Sequence, residues 1–595
     1  MDAEERSLNL FFFCVLAICV GIVTGFGAVF FRALIALVHN VFFLGVFSTA
    51  YDANNYTPGS PWGALVILVP VIGGLGVVAL VRSFAPEARG HGVPEVMDAI
   101  FYNEGRIRPV VAVVKSLASA LAIGTGSAVG REGPIIQIGA SLGSSTGQLL
   151  GLGAWQRITL VAAGAGAGIA ATFNTPIGGV LFAVELMMPE VSARTFLPVA
   201  LATGTATFVG RFFFGPNPAF HVPAFGTISA GLSDLYLLAA YAVLGAVIGL
   251  AATAFVRALH WTEETFDRIG NAYLRHAIGM GLVGVMMYAF YRLSGHYRIE
   301  GVGYSTIEDV LVGGLSAAPF LMLLFGAKLA ATSLSLGSGS SGGIFSPSLF
   351  MGATLGGGFG ALLKLAFPLA SINIPAFAMV GMAAMVGGGT GAAMTAVTMI
   401  FEMTRDYSIV MPMIIAVAIS IGVRRVLSAE NIYTIKLVGR RHFIPKALHA
   451  NMFLVRRAAD VMDRDILILP ADTSFDMFLK RPDNEGRLRY VVVTNGGRIL
   501  GVLRVNTALR RGFEDTFTGV RLGDLASRGF AVAREDDIMF DVINRMWRRN
   551  VSTAVVVGTR GVPGADDVEG IIAKEHVADS VALSIKPFET GRAAF

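Results

Sequence analysis

"GTGSAVGREGPIIQIGASLG", residues 124–143, sets Arg131 and Glu132 side by side among glycines and small or apolar residues. An ionisable pair in such surroundings is expensive, and inside a bilayer it usually marks a path for ions or protons. The neighbouring sequence decides whether the surroundings are a bilayer. Residues 7–31, 53–81, 133–156, 158–184 and 235–256 contain no Asp, Glu, Lys or Arg. Between Lys328 and Glu402 the only charge is Lys364. A membrane-spanning helix needs about 20 apolar residues, and these runs meet or exceed that. Only 15% of the 595 residues are charged, against about 25% in soluble domains. The chain reads as a polytopic helical membrane protein.

Glycine, at 72 of 595 residues, exceeds its usual share of about 7%. Several runs are too glycine-rich or too long for one straight span. Short, broken or re-entrant helices are expected, which membranes tolerate only where they line a protein-buried path. The formal net charge of +5 is modest, so it suggests basic cytoplasmic flanks and no nucleic-acid partner. Both cysteines, Cys14 and Cys19, lie in the first apolar run. That leaves no disulfide framework and no cysteine-based metal site. The acidic start "MDAEERS" before a long run reads as leading into a retained first helix, not a cleaved signal peptide.

Composition changes near residue 436. Lys436, Arg440, Arg441 and Lys446 follow a span directly, which places this end in the cytoplasm. The tail looks twofold. "AADVMDRDILILPADTSFDMFL" (458–479) precedes the strand-like "RYVVVTNGGRILGVL" (489–503). "LGDLASRGFAVAREDDIMFDVINRMW" (522–547) precedes "STAVVVG" and "VEGII" (568–572). Each unit reads as strand, amphipathic helix and strand pair, a self-similarity that marks a repeat. Expected boundaries are 1–438 for the membrane domain, 439–455 for a linker, then 456–515 and 516–595.

The membrane region repeats as well. Residues 337–356, "GSGSSGGIFSPSLFMGATLG", reproduce Gly124, Gly126, Gly130, Pro134, Gly139, Ala140, Leu142 and Gly143 of the first stretch. Downstream, "PIGGVLFAVE" (176–185) corresponds to "AMTAVTMIFE" (393–402), each ending in an intramembrane glutamate. Two halves with the same loop and the same glutamate-ended helix are a transporter pattern, with the site at the midplane where broken helices meet.

A glycine-rich turn feeding a helix exposes unpaired N–H groups and the positive end of the helix dipole, and both favour an anion. Two such loops facing each other would cage one small anion without a full positive charge, which would bind too tightly for rapid passage. Glu132 then puts a carboxylate where the anion would sit. Protonation would release it, so its natural role is a gate.

These residues resemble the CLC family of chloride channels and proton-coupled chloride exchangers. "GHGVP" (90–94), "GREGP" (130–134) and "GGIFSP" (342–347) match its three signature segments in order, and Tyr433 in "ENIYTIKL" matches its site tyrosine. Lys115 stands ahead of Glu132 as in family members. The tail resembles the paired CBS domains that many members carry. The resemblance implies an all-α membrane domain of inverted half-repeats with an α/β cytoplasmic CBS pair, assembled as a homodimer with one pore per subunit. It implies Glu132 as the gate. It also implies anion contacts from the segment of His91 and Gly92, from the backbone N–H groups of Ile344 and Phe345, and from the Tyr433 hydroxyl. Lys115, Arg131, Glu185 and Glu402 are supporting candidates.

Three positions depart from the family. The serine that normally contacts the anion is His91, a residue type that titrates near neutral pH. The second of two consecutive glutamates that relay protons in exchangers is here Leu186, after Glu185. The Thr and Asp of CBS nucleotide sites are replaced by Arg504 and Thr507, then by Ala573 and His576. No cofactor is therefore expected at the pair.

Each candidate has a plainer reading. Glu132 could form a structural ion pair with Arg131. Glu185 and Glu402 could cap backbone N–H groups between helices. Lys115 could snorkel or balance a buried carboxylate. Tyr433 could be an interfacial anchor, and His91 a helix-start residue bonded to backbone. The expectation is transport of a small anion, chloride first, across the cell (inner) membrane. Leu186 tilts the choice to a passive, channel-like or weakly coupled pathway gated by Glu132. The alternative is a secondary active chloride/proton antiporter in which His91 helps handle protons. No metal cluster, P-loop or nucleophile elbow suggests an enzyme.

Overall fold

Glycines and charge-free runs set where the membrane helices start and stop. The computed structural model describes residues 8–189, 191–222, 235–368, 372–444, 452–479, 490–505, 520–558 and 564–577. The acidic start, Lys446 and Thr507 lie outside these. Residues 1–444 and 445–595 form two units. In the first, the leading half runs α1 (Leu10–His39), α2 (Leu68–Phe84), α3 (Val93–Tyr102), α4 (Val110–Gly124), α5 (Glu132–Leu149), α6 (Ala154–Phe173), α7 (Pro176–Phe182) and α8 (Ala193–Phe214). The second half repeats the order as α9 (Leu235–Asp267), α10 (Ala272–Ser294), α11 (Tyr304–Leu311), α12 (Ala318–Ser338), α13 (Phe345–Ala366), α14 (Ile374–Thr390), α15 (Ala393–Thr404) and α16 (Val410–Leu427). A short α17 (Thr434–Gly439) follows.

Among the described residues, 8 helical segments are long and apolar enough to cross a membrane, whereas the segments of α4, α7, α14 and α15 are shorter. The chain is an integral membrane protein whose helices are of mixed length, as its glycine content suggests. The glycines also set helix spacing. A Cβ on Gly139 of α5 would stand 2.1 Å from the Gly164 carbonyl oxygen of α6, and the reverse distance is also 2.1 Å. Gly352 of α13 and Gly381 of α14 repeat this crossing at 2.4 and 2.2 Å. Small residues let helix backbones touch where lipid offers no hydrophobic drive for association.

The halves contact each other reciprocally. The Glu185 carboxylate, just beyond α7, accepts from the backbone N–H groups of Met394 (3.2 Å) and Thr395 (2.9 Å) at the start of α15. Glu402 of α15 accepts from Ile177 (3.1 Å) and Gly178 (2.7 Å) at the start of α7. At the centre, Gly130 N–H donates to the Gly343 carbonyl (2.7 Å), and Gly343 N–H donates back to Gly130 (2.6 Å). Contacts that recur with partners exchanged describe a two-fold axis between the halves.

The second unit holds two three-stranded sheets. β1 (Ile466–Pro470) pairs parallel with β2 (Tyr490–Asn495), which pairs antiparallel with β3 (Arg498–Arg504). β4 (Ala531–Arg534), β5 (Thr553–Val557) and β6 (Val568–Ala573) repeat this order and sense. Tyr490, Val492 and Val502 pack against Val555, Val557 and Ile571, so the two sheets share one core. The chain also crosses between them. Ala458 and Met462 join the core of β4–β6, while Leu522 joins that of β1–β3. The expected boundary near residue 515 lies outside the described residues, and the sheets on either side of it share core residues.

Candidate functional site

Three loops converge between the halves. The central bridge joins Gly130, before α5, to Gly343, before α13. A second bridge joins Gly90, before α3, to the same loop: Gly90 N–H donates to Ser340 (3.1 Å), and Gly342 N–H donates to Gly90 (3.3 Å). Glycine is needed here for closeness. A Cβ on Gly343 would lie 2.6 Å from the Gly133 nitrogen, and one on Gly133 would lie 2.2 Å from the His91 carbonyl oxygen. The starts of α5 and α13 thus meet, and both helices run away from the meeting point. The first N–H groups of a helix have no intrahelical partner, and Ile344 and Phe345 stand at the start of α13.

Glu132 occupies the centre and is fully buried. Its Oε1 accepts from the Tyr304 hydroxyl and from the Ser346 hydroxyl, each at 2.5 Å. Its Oε2 accepts from the Ser346 backbone N–H at 3.2 Å. Tyr304 and Ser346 also share a hydroxyl contact of 2.9 Å. The carboxylate is thereby a tethered anion on the positive end of α13, held by the kind of donors that would hold a free one. A Cβ on Gly130 would stand 2.2 Å from Oε2, so only glycine leaves room for the carboxylate.

His91 and Tyr433 lie on the α17 side of this seat. Both are buried, with ring centroids 5.8 Å apart. Asn431 positions Tyr433: its Oδ1 accepts from the N–H groups of Tyr433 (2.9 Å) and Thr434 (2.8 Å), and its side-chain amide donates to Thr390 (2.6 Å). Gly92 takes φ +84° to turn into α3, and a Cβ there would press on Gln137 at 2.8 Å. A vestibule of about 490 Å³ reaches Gly90 and carries Arg89, Glu95, Asp267, Lys436 and Arg440 on its walls. Arg440 forms paired hydrogen bonds of 2.9 and 2.7 Å with Glu95. That pairing raises the guanidinium further above its ordinary range.

The supporting candidates are placed differently from one another. Arg131 does not close onto Glu132; its guanidinium lies over the Tyr304 ring, 5.0 Å from the centroid. Lys115 neither snorkels nor meets a carboxylate. It is buried, and its Nζ donates to the carbonyls of Ala88 (3.0 Å) and Gly90 (2.7 Å). Glu185 and Glu402 sit at the reciprocal helix starts described above, not at the seat. Arg504 pairs with Glu575 at 3.0 Å, and His576 lies 3.6 Å from Asp463.

Sequence reasoning missed Tyr304, Ser346 and Lys328. Lys328 mirrors Lys115, its Nζ donating to Ile299 (2.9 Å) and Gly301 (2.7 Å). The repeat could have found it, because Lys328 precedes the second glycine-rich loop much as Lys115 precedes the first.

Comparison with known proteins adds a separate observation. Residues 73–425 match the family described as voltage gated chloride channel, and residues 458–513 match the CBS domain. A protein of Salmonella agona called H(+)/Cl(-) exchange transporter ClcA is 32% identical over 430 residues, covering 70% of this chain and 85% of that protein. Its namesake from Citrobacter koseri is 33% identical over 414 residues, covering 67% and 82%. Among solved structures, a slow cyanobacterial Cl-/H+ antiporter superposes with TM-score 0.62 at 23% identity, over 73% of this chain and 99% of that one. A eukaryotic CLC transporter gives 0.60 at 19% identity, over 95% and 97%. At these identities the structures speak to fold alone.

Proposed function

Because this chain belongs to the voltage gated chloride channel family, the CLC family, we propose that it exchanges chloride for protons across the membrane, with Glu132 as the moving gate. The observation that carries this is the seated carboxylate, which accepts three hydrogen bonds at the start of α13. Two relatives that are named as exchangers support exchange over the passive pathway that Leu186 suggested.

The chemistry follows from what each species accepts. As a carboxylate, Glu132 takes all three donors, and charged acceptors gain about 1.5–3 kcal/mol per bond. As a carboxylic acid it has no charge, and neutral bonds are worth about 0.5–1.5 kcal/mol. Protonation therefore loosens the side chain, and chloride takes the vacated donors. Return of the ionised side chain displaces chloride, so anion and proton move in opposite directions. Ile344 and Phe345 supply backbone donors, and Tyr433 a hydroxyl, on the way to the vestibule.

Family membership also supports a homodimer in the cell (inner) membrane. Lys436, Arg440 and Arg441 support a cytoplasmic location for residues 445–595. The test is the purified full chain in liposomes with a chloride gradient and a proton-sensing dye. Uphill proton movement driven by chloride is expected. Chloride flux with no proton movement would refute exchange and restore the passive pathway.

A further inference from the structure

We propose that Arg32 and Arg131 hold a single monatomic halide on the far side of Glu132 from the vestibule, as a waiting position beside the gate. This deepens the transport reading and rests on chloride as its cargo, not on proton exchange. The two arginines line one cavity of about 20 Å³, together with Tyr51, Ala53 and Val302. A space of that size takes one particle of about water's size. It suits a bare halide and excludes a polyatomic anion such as phosphate.

The cavity belongs to the membrane face opposite the vestibule. α2 ends beside the vestibule, whose walls include Pro86 and Glu87. The apolar helical segment that α2 completes, Gly63–Phe84, is long enough to cross a membrane. Residues 45–62, which precede it and include Tyr51 and Ala53, therefore stand on the other face.

Neither cation is neutralised. Among the described residues, no carboxylate forms an ion pair with Arg32 or Arg131. Arg131 is 9% exposed, and its Nε is buried with no hydrogen-bond partner. Its guanidinium lies over the Tyr304 ring, and that of Arg32 lies 4.3 Å from the centre of the Phe214 ring. A ring face takes up charge, but it leaves the N–H donors of each planar fork in need of acceptors. The adjacent acids are engaged elsewhere. Glu132 gives its carboxylate to Tyr304 and Ser346. Asp52 is exposed and accepts from the Asn54 N–H at 3.1 Å. Two like charges on one wall repel each other. A halide between them offsets that repulsion and supplies the missing acceptor.

Arg131 links this position to the seat. It precedes Glu132 in the chain and stands over the ring whose hydroxyl holds the carboxylate. Full positive charge slows release, which suits a waiting position and not the seat, where N–H and hydroxyl donors suffice. When Glu132 is protonated and leaves, a halide already held by Arg131 is at hand for the vacated donors.

The test is anomalous diffraction from crystals of the full chain grown in bromide, for wild type and Arg32→Met. A bromide should touch both guanidiniums in wild type and be lost in Arg32→Met. No bromide there in wild type, or one that persists in the variant, would overturn the proposal. Should Arg32→Met fail to fold, a bromide series on wild type decides. Two charged hydrogen bonds predict a filled site by about 50 mM. A peak that needs more is an adventitious ion only, which overturns the proposal. In liposomes, Arg32→Met should raise the half-saturating chloride concentration by about tenfold; an unchanged value would overturn the waiting role. None of these readings depends on proton movement. A wild type that moves chloride without protons therefore refutes exchange and leaves this site standing.

Discussion

Replacing Glu132 with glutamine tests the seat directly, because the substitution keeps the shape and removes the charge. Two of the three bonds, from Tyr304 and Ser346 hydroxyls to Oε1, survive as neutral bonds and each weakens by about 1–1.5 kcal/mol. The third reverses sense. At the Oε2 position an amide NH2 would face the Ser346 N–H, donor against donor. Losing that bond and burying an unsatisfied donor costs about 1–3 kcal/mol more. The sum, about 3–6 kcal/mol, lowers occupancy of the seat by the side chain roughly a hundredfold or more. Chloride then no longer competes with a tethered carboxylate. Calorimetric titration of the purified variant should show chloride binding tighter by at least about tenfold, the remainder being lost to chloride dehydration. Flux through the variant should also lose most of its pH dependence. An affinity within about threefold of wild type, with pH dependence retained, would refute the reasoning.

Other parts of the structure give separate tests. Lys328→Met removes the donor for Ile299 and Gly301 and should cost about 2–4 kcal/mol, read as a lower Tm in detergent; an unchanged Tm contradicts the anchoring role. Glu185→Gln and Glu402→Gln each weaken a cap on the other half's helix by about 1–2 kcal/mol. Both should lower Tm and leave the ratio of protons to chloride as in wild type, whereas a changed ratio would make either residue part of the proton path. Gly139→Val places side-chain atoms where α6 backbone stands 2.1 Å away. It should exceed the usual overpacking cost of about 1–3 kcal/mol and abolish recovery of folded protein, and normal yield would contradict the crossing.

The membrane fold was legible because its signal is repeated. Charge-free runs fixed the class, and the glycines and proline shared by residues 124–143 and 337–356 exposed the two halves. Glu132 stood out because carboxylates among glycines are rare in such runs. Tyr304 did not, since its counterpart across the two-fold is Val93, the first residue of α3 as Tyr304 is of α11, and the pair share position without sharing chemistry. Ser346 was hidden for another reason. The sequence pointed to backbone donors at Ile344 and Phe345, while the hydroxyl one residue later makes one of the two 2.5 Å bonds. Glu185 and Glu402 looked like parallel features of two helices, and only the fold shows that each holds the other's start. In the tail, the valine runs marked strands, but the crossing of Ala458 and Leu522 between cores depends on chain path, which local pattern does not encode.

The central claim is that the Glu132 carboxylate and the transported anion take turns in one seat. Anomalous diffraction from crystals grown in bromide tests it most directly. In Glu132→Gln, a bromide should sit within hydrogen-bonding distance of the Phe345 and Ser346 backbone nitrogens, where wild type shows only the carboxylate. A bromide at that position in wild type with the carboxylate still seated, or none in the variant, would contradict the account.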